Sequence, residues 1–253
     1  MERTDPPLGT VKRAFEVVEL LWELHGATLA DVTRQMDLPK STVHDYLRTL
    51  EMAGYITQFE DTYQLSYRFL TTGGRLRNRS RFFQTARPEV KRLATETGEL
   101  ASIGIEEDGE CVLLHAMRGE KSLELGIYPG LRVPMHAHAT GKVLLAYLPD
   151  EYAEETVFDD GLEQVTEHTI TDVDRLEEEL ATIREQGYAV DWDEQVLGMG
   201  TVSVPLLIEN ELTGAISISC PTGRIEEPEY RQQLIRHARE AANTVMVGYQ
   251  YGH

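Results

Sequence analysis

One short stretch of the chain has the residue types needed to hold a small carboxylate. Residues 139–142 read Ala-Thr-Gly-Lys and open a predicted helix, and the first amides of a helix lack partners within it, so they bind anions readily. Gly141 allows close approach, and Thr140 adds a hydroxyl. The stretch is not a nucleotide-binding P-loop, because no glycine lies five positions before Gly141. We therefore predict a carboxylate site formed by Ala139, Thr140, Gly141 and Lys142.

Further polar residues lie on predicted strands of the same half of the chain. Asp191 ends one strand and Thr201 begins another. Ser217 and Ser219 alternate with isoleucines on a third strand, so both hydroxyls should face the same side of the sheet. An exposed sheet face explains the two serines as well as a binding site does, and a solvated loop would explain Asp191.

A metal or catalytic site is the competing interpretation of this region. His136 and His138 flank one alanine, His115 lies elsewhere, and an acidic group comprises Asp191, Asp193 and Glu194. Such side chains can bind a metal, but the H-x-H spacing is common by chance and no acid–base partner is marked. Cys111 and Cys220 form no C-x-x-C pair and are predicted to be core residues, with a disulfide or metal site as the alternative. We predict no metal, no cofactor and no enzyme activity.

A second set of polar residues has the spacing found in DNA-binding helix-turn-helix motifs. Apolar residues recur at helical spacing over residues 29–36, break at Leu38-Pro39 and resume from Val43, which predicts two short helices with a tight turn between them. The first turns of the second helix would face base edges, while nearby amides and hydroxyls hold phosphates. The predicted DNA contacts are Thr28, Lys40, Ser41, Thr42, His44, Asp45, Arg48 and Gln58.

The flanking elements complete a winged helix-turn-helix. A helix is predicted at 10–25, with one apolar stripe formed by Val11, Phe15, Val18 and Trp22. Thr28 and Asp31 have the spacing of a capping box at the start of the next helix. Two short strands over 55–66 predict the wing. Such a domain could also serve protein contacts alone.

From Leu100 onward the apolar period changes from helical to alternating. The pattern predicts an α+β domain with a largely antiparallel sheet, of a size that can enclose one ligand. A helix with Pro88 in its first turn is expected at 88–98, and another, capped by Thr171, at 172–186. The predicted strands are a hairpin over 100–117 and single strands at 123–127, 188–191, 201–208 and 214–220; helices at 140–148 and 228–247 complete the domain.

Charge is distributed unevenly along the 253 residues. The chain holds 24 Lys+Arg and 43 Asp+Glu, for a net charge of -19, but residues 1–81 hold 11 of each sign. The acidic excess therefore lies in residues 82–253 and spares the predicted DNA-binding third. Such an excess, with only five lysines, suits a protein kept soluble in concentrated salt, so we predict a halophilic source.

Two further features concern surface and location. Arginines at every second position of 75–81 mark either a solvated linker or an extension of the phosphate-contacting surface.

No apolar run reaches the roughly 18 residues needed to cross a membrane, and the N-terminus lacks the features of a signal peptide. A cytoplasmic location without membrane contact is expected.

Several segments resemble the IclR family of bacterial and archaeal transcriptional regulators. VKRAFEVVELLWEL, LPKSTVHDYLRTLEMAGYI and YQLSYRFLTTG resemble its DNA-binding domain, whereas HATGKVLLAYLP and QGYAVDWDEQVLGMGTVSVPL are similar to motifs of its second domain. The resemblance implies an α+β chain: an N-terminal winged helix-turn-helix at 1–66, a linker helix at 67–82, and a C-terminal GAF-like α/β effector-binding and oligomerisation domain at 83–253.

The resemblance also implies a site and a function. Residues 139–142, Asp191, Thr201, Ser217 and Ser219 would line one pocket for a small organic acid, with the helix amides and hydroxyls on its carboxylate and Asp191 on a hydroxyl at its far end. Asp45 stands where many members carry arginine, and Thr201 where many carry cysteine.

We thus predict a ligand-responsive regulator that binds a pseudo-palindromic operator in double-stranded DNA as a homodimer or tetramer. The alternatives are an enzyme or metalloprotein that uses the helical domain for oligomerisation, and an architectural DNA-binding protein without effector.

Overall fold

Short helices and a hairpin form the N-terminal unit, which extends to Leu76 in a computed structural model describing residues 6–158 and 161–252. The helices are α1 (Gly9–Glu23), α2 (Leu29–Met36) and α3 (Lys40–Met52). The strands β1 (Ala27–Thr28), β2 (Ile56–Phe59) and β3 (Thr62–Leu65) form a sheet of order β1-β3-β2. The order of these elements confirms the predicted winged helix-turn-helix; residues 1–5 of the predicted domain lie outside the described part.

Local signals place the boundaries of the helix-turn-helix. The Thr28 hydroxyl accepts from the Asp31 amide, and the Asp31 carboxylate accepts from the Thr28 amide, so the predicted capping box is present. α2 ends at Asp37 in the left-handed conformation (φ 47°), and Pro39 precedes α3. The core of the unit consists of buried apolar side chains from all its helices and the wing: Val17, Leu21, Ala27, Val32, Val43, Leu47, Ile56 and Tyr63.

The apolar stripe predicted for α1 does not face this core. Val17 and Leu21 are buried, whereas Val11, Phe15 and Trp22 are 49%, 59% and 62% exposed. The predicted helix is present, but α1 has apolar residues on two sides, and helical periodicity does not tell which side packs against α2 and α3. The exposed stripe also includes Leu8.

Two consecutive helices follow the wing. α4 (Arg68–Arg79) and α5 (Arg81–Thr97) are separated by Ser80, whose hydroxyl accepts from the Phe83 amide and caps α5. The predicted linker helix at 67–82 thus corresponds to α4 and the start of α5, and the division between the two compact units falls inside α4, after Leu76. α5 begins well before the predicted 88, because buried Phe82 and Phe83 extend its apolar face.

The C-terminal unit contains a six-stranded antiparallel sheet of order β6-β5-β4-β9-β8-β7. Its strands are β4 (Leu100–Glu107), β5 (Glu110–Arg118), β6 (Arg132–Pro134), β7 (Ala189–Trp192), β8 (Met199–Ile208) and β9 (Glu211–Pro221). Its helices are α6 (Ala139–Tyr147), α7 (Asp150–Ala153), α8 (Val173–Gln186), α9 (Thr222–Ile225) and α10 (Pro228–Tyr251). This arrangement agrees with the predicted α+β class.

Side chains on the central strands point alternately to the two faces of the sheet, and each face has its own hydrophobic core. Val202, Ile216 and Ile218 pack with α5 and α10 on one face of the sheet. Ala215 and Leu113 pack with α6 and α8 on the other. Because Ser217 and Ser219 alternate with the isoleucines, they share the face that α6 covers.

Two local predictions for the C-terminal unit differ from the structure. Residues 123–127 form no strand and are largely exposed, because alternating residues without a partner strand do not make a sheet. The N-cap of α8 is Asp172 rather than Thr171, since the Asp172 carboxylate accepts from the Arg175 amide at 2.9 Å. Within the described ranges, every helix is too short or too polar to cross a membrane.

Candidate functional site

Hydroxyl side chains lie side by side across neighbouring strands on the sheet face beneath α6. The strand registers place Asp191 opposite Thr201, and Thr201 opposite Ser219. The hydroxyls of Thr201 and Ser219 are 3.0 Å apart, and those of Ser217 and Ser102 are 2.9 Å apart. The structure therefore brings together four of the residues singled out from the sequence, and it adds Ser102 and Ser203, which alternate with buried apolar residues in the same way.

The N-terminus of α6 packs directly on this face. The Asp191 carboxylate accepts from the Ala139 amide at 2.7 Å. A Cβ at Gly104 on β4 would lie 3.1 Å from the methyl group of Thr140, so glycine at this position allows the helix to approach the strand. The predicted residues of α6 and of the sheet thus meet in one place, where Thr201 and Ser219 are half-buried and the others are buried.

The amides of α6 are used differently from the prediction. The Ala139 amide is occupied by Asp191, and the Lys142 amide donates to the His138 carbonyl at 3.0 Å, so neither is free to bind a ligand. The same contact places Asp191 beside the amides rather than at the far end of a ligand. The amides of Thr140 and Gly141 donate to no acceptor in the described part of the chain. They remain as an unpaired pair of donors at a helix N-terminus.

Burial changes the acidity of Asp191. Removal from water raises the pKa of this carboxyl to about 7, and the hydrogen bond from Ala139 opposes the shift only in part. Near neutral pH the group is therefore close to the midpoint of its titration. A carboxyl in this state can lie next to a bound anion at a lower electrostatic cost than a full charge.

The side chain of Lys142 has a separate role from its backbone. Its ammonium group is fully buried and lies 2.6 Å from both carboxylate oxygens of Glu194 and 2.8 Å from Glu179. Burial raises the pKa of Glu194. A buried ion pair of this kind ties α6 to α8 and to the segment after β7, and loss of one partner would leave an uncompensated charge.

His138 precedes α6 and is fully buried. Its Nδ1 lies 3.2 Å from the Pro134 carbonyl oxygen, and its Nε2 has no hydrogen-bond partner among the described residues. Burial lowers the pKa of His138 to about 4, so the ring is neutral at physiological pH. If Nδ1 donates to Pro134, Nε2 is a buried acceptor next to the start of α6. In the sequence, His138 is marked only by the H-x-H spacing, which does not indicate an unpaired ring nitrogen.

The metal interpretation finds no matching arrangement. His136 Nε2 lies 2.8 Å from the Glu163 carbonyl oxygen, and Cys111 and Cys220 are buried free thiols in the core, as the main interpretation expected. Within residues 6–158 and 161–252, no three His, Cys, Asp or Glu side chains are grouped to hold a metal ion.

α3 presents most of the predicted DNA contacts to solvent. Opposite its buried Val43 and Leu47, the exposed side chains are Lys40, Ser41, His44, Asp45 and Arg48. Lys40 and Arg48 pair with no carboxylate in the described part of the chain. The first turns of α3 therefore carry free donors of the kinds that contact phosphates and bases.

The remaining predicted contacts have local partners or neighbours. The Thr28 hydroxyl takes part in the capping box, and the Gln58 amide donates to the Glu60 carbonyl at the tip of the wing. Thr42 is half-buried and, with Asp45, borders an apolar groove between α3 and Val11 of α1. Thr28 and Gln58 are engaged in local hydrogen bonds and Thr42 is half-buried, so these three side chains are less available for DNA than those on the exposed side of α3.

Two family models match the chain. Residues 74–247 match "Bacterial transcriptional regulator IclR C-terminal", and residues 10–59 match "IclR helix-turn-helix domain". Together these matches cover both compact units.

Individual transcriptional regulators are also similar to this chain over most of its length. The chain is 32% identical over 245 residues to the Halobacterium salinarum protein named "Probable HTH-type transcriptional regulator ArcR", covering 95% of this chain and 93% of that one. It is 32% identical to the HTH-type transcriptional regulator XynR of Escherichia coli, covering 90% and 94%. The crystal structure of a transcriptional regulator from Rhodococcus sp. RHA1 superposes with a TM-score of 0.83 at 26% identity, covering 96% and 98%.

Proposed function

The chain belongs to the IclR family of DNA-binding transcriptional regulators, which are not enzymes, and on that premise we propose how this member reads DNA and what its effector-binding domain senses. It binds a pseudo-palindromic operator in double-stranded DNA as a homodimer or a homotetramer. Its effector is a small carboxylate that also carries a hydroxyl group. We also propose that the winged helix-turn-helix domain spans 1–66, the linker 67–82 and the effector-binding domain 83–253, and that the protein is cytoplasmic.

The observation that carries the effector proposal is the pair of unpaired amides at Thr140 and Gly141. Two N–H groups at the start of a nine-residue helix, next to a polar sheet face, suit the two oxygens of a carboxylate. The hydroxyls of Thr201, Ser217 and Ser219 lie on that face and provide further donors and acceptors. The partial protonation of Asp191 reduces its repulsion of such an anion.

The hydroxyl of the effector is inferred from His138. A buried Nε2 without a partner costs free energy unless a donor reaches it. An effector hydroxyl would supply that donor when bound. A simple carboxylate without a hydroxyl should therefore bind more weakly than its hydroxylated analogue.

Thermal unfolding with a panel of small hydroxycarboxylates tests the site. A compound present at about 100 times its Kd should stabilise the protein by about 2.7 kcal/mol. The double variant Ser217→Ala with Ser219→Ala should lose this shift, since it removes two hydroxyls from the proposed site. Ser122→Ala, which removes a hydroxyl from an irregular segment of the same domain, should keep it. An unchanged shift in the double variant would place the ligand elsewhere.

The DNA part of the proposal rests on the exposed turns of α3. Lys40, Ser41, His44 and Arg48 would contact DNA there, with Thr28, Thr42, Asp45 and Gln58 at the margins of the surface. Since the N-terminal third lacks the acidic excess of the rest, it can approach the phosphates. In concentrated salt, counterion release contributes little, so specific contacts would dominate the affinity.

Arg48→Ala should weaken binding to the operator by about 1–3 kcal/mol and reduce discrimination at one base position, if Arg48 contacts a base. Fluorescence anisotropy with the operator and with a scrambled duplex, at one fixed salt concentration, measures both effects. Arg236→Ala, an exposed arginine of α10, is the control and should leave both affinities unchanged. An equal loss on the two duplexes would make Arg48 a phosphate contact instead.

The exposed stripe of α1 supports dimerisation through the N-terminal unit. Leu8, Val11, Phe15 and Trp22 form an uncovered apolar surface on a domain whose single recognition helix reads only a few base pairs. Exposed patches of this kind mark interaction sites. A second copy packed on the stripe would place two recognition helices about a two-fold axis, which matches a pseudo-palindrome.

A further inference from the structure

An open cleft of about 500 Å³ lies along β7, the strand at the end of the sheet order in the C-terminal unit. Arg175 and Glu179 of α8 line one side, and Arg231 of α10 lines the other. Tyr188 and Trp192 stand at either end of the β7 segment between them. Apolar side chains of Ile170, Ile183 and Val190 also line it. The volume and the mixture of apolar and polar lining are those of a site for a small organic molecule.

The charge of the cleft differs from that of its domain. Arg175 and Arg231 form no ion pair with a carboxylate in the described part of the chain. The two carboxylates of the cleft, Glu179 and Glu194, are both bound by the Lys142 ammonium. Residues 82–253 hold 32 acidic against 13 basic side chains, so two unpaired arginines in one cleft form a local positive site on an otherwise acidic domain.

The aromatic side chains restrict the shape of an occupant. The indole of Trp192 is 40% exposed, and the Arg231 guanidinium carbon lies 5.7 Å from its ring centroid. The Arg231 guanidinium also donates to the Ile225 carbonyl at 3.1 Å, which fixes its position. An exposed indole next to a fixed guanidinium offers stacking for a flat ring and paired hydrogen bonds for its carboxylate.

We propose that this cleft binds a planar aromatic carboxylate and is a second ligand site of the domain. The site is distinct from the one at α6, because the cleft is not lined by the residues proposed for that site: Thr140, Gly141, Asp191, Thr201, Ser217 and Ser219. The aromatic ring stacks on Trp192, and the carboxylate pairs with Arg175 or Arg231. The inference does not depend on the proposed effector or on dimerisation.

Tryptophan fluorescence of the full chain tests the cleft directly. The chain has two tryptophans, so Trp22→Phe leaves Trp192 as the single reporter. In this background, 4-nitrobenzoate should quench Trp192 with a saturable binding curve, whereas the neutral 4-nitrobenzyl alcohol should not saturate. At least one of the variants Arg175→Gln and Arg231→Gln should weaken the apparent affinity about 10-fold or more, because the carboxylate then loses its charge-assisted partner.

Matched controls separate the cleft from other sites. Arg236→Gln changes an exposed arginine on the same helix and should leave the curve unchanged. The double variant Ser217→Ala with Ser219→Ala should also retain it. The proposal is overturned if quenching does not saturate, if both arginine variants, shown to be folded by circular dichroism, bind as the background does, or if the serine variant alone loses binding.

Discussion

Phe15→Asp in the full chain should reduce operator affinity towards the level of nonspecific binding, a loss of about 10³-fold or more. Phe15 lies at the centre of the exposed apolar stripe of α1, between Val11 and Trp22. A buried carboxylate at a dimer interface is costly to desolvate, so the two recognition helices would no longer bind as one unit. Anisotropy with the full operator and with a half-site, together with analytical ultracentrifugation, measures the loss and its cause.

Met52→Asp is the matched control for this prediction. Met52 is a highly exposed apolar side chain of the same unit, at the end of α3 and outside the α1 stripe. It should retain both dimer and operator affinity. If Phe15→Asp binds the operator as tightly as wild type, the N-terminal units do not pair through α1, and another surface must provide the symmetry.

Asp191→Asn should stabilise the protein at alkaline pH, by an amount that reaches at most about 4 kcal/mol. The pKa of Asp191 is raised from its ordinary value of 3.8 to about 7, mainly by burial. Between these values the folded protein retains a proton that the unfolded chain has lost, so this group's contribution to stability falls as the pH rises through the window. Asparagine carries no charge and avoids the loss, while its carbonyl oxygen can still accept from the Ala139 amide.

Urea unfolding from about pH 4 to about pH 8 measures this effect as the difference between variant and wild type. The two proteins should be similar at the acidic end and diverge towards the alkaline end, with Asp191→Asn the more stable. Asp174→Asn, the same change at an exposed position of α8, should follow the wild-type profile. An Asp191→Asn variant that is less stable at every pH would mean that the charged carboxylate is required by its surroundings.

Local sequence signals were sufficient to predict the helix-turn-helix in the N-terminal third of the chain. The Thr28–Asp31 capping box, the break at Pro39 and the stripe through Val43 and Leu47 each act over a few residues, so they could be recognised without tertiary information. The face of α1 that packs inward could not, because both sides of that helix are apolar. The strand expected at 123–127 failed for a related reason: pairing depends on a partner that local alternation does not reveal.

The candidate site shows the same limit more sharply. Alternation correctly places Ser217 and Ser219 on one face, since that follows from strand geometry alone. The contact of Asp191 with the Ala139 amide requires β7 to pair with β8 and α6 to cover that edge of the sheet. The burial of Lys142 against Glu194 joins positions far apart in the chain. Neither contact is encoded in spacing. The first occupies the Ala139 amide, and the second holds the Lys142 ammonium in a buried ion pair.

Genome-wide mapping of DNA bound by the wild-type protein, with Arg48→Ala mapped in parallel, tests the central claim that this chain is an operator-specific dimeric regulator. We expect discrete sites that share an inverted repeat, with half-sites separated by about one helical turn (roughly 10 base pairs) or a multiple of it, and weaker occupancy of those sites by the variant. Broad occupancy without a shared motif, equal for both proteins, would contradict the account and identify an architectural DNA-binding protein instead.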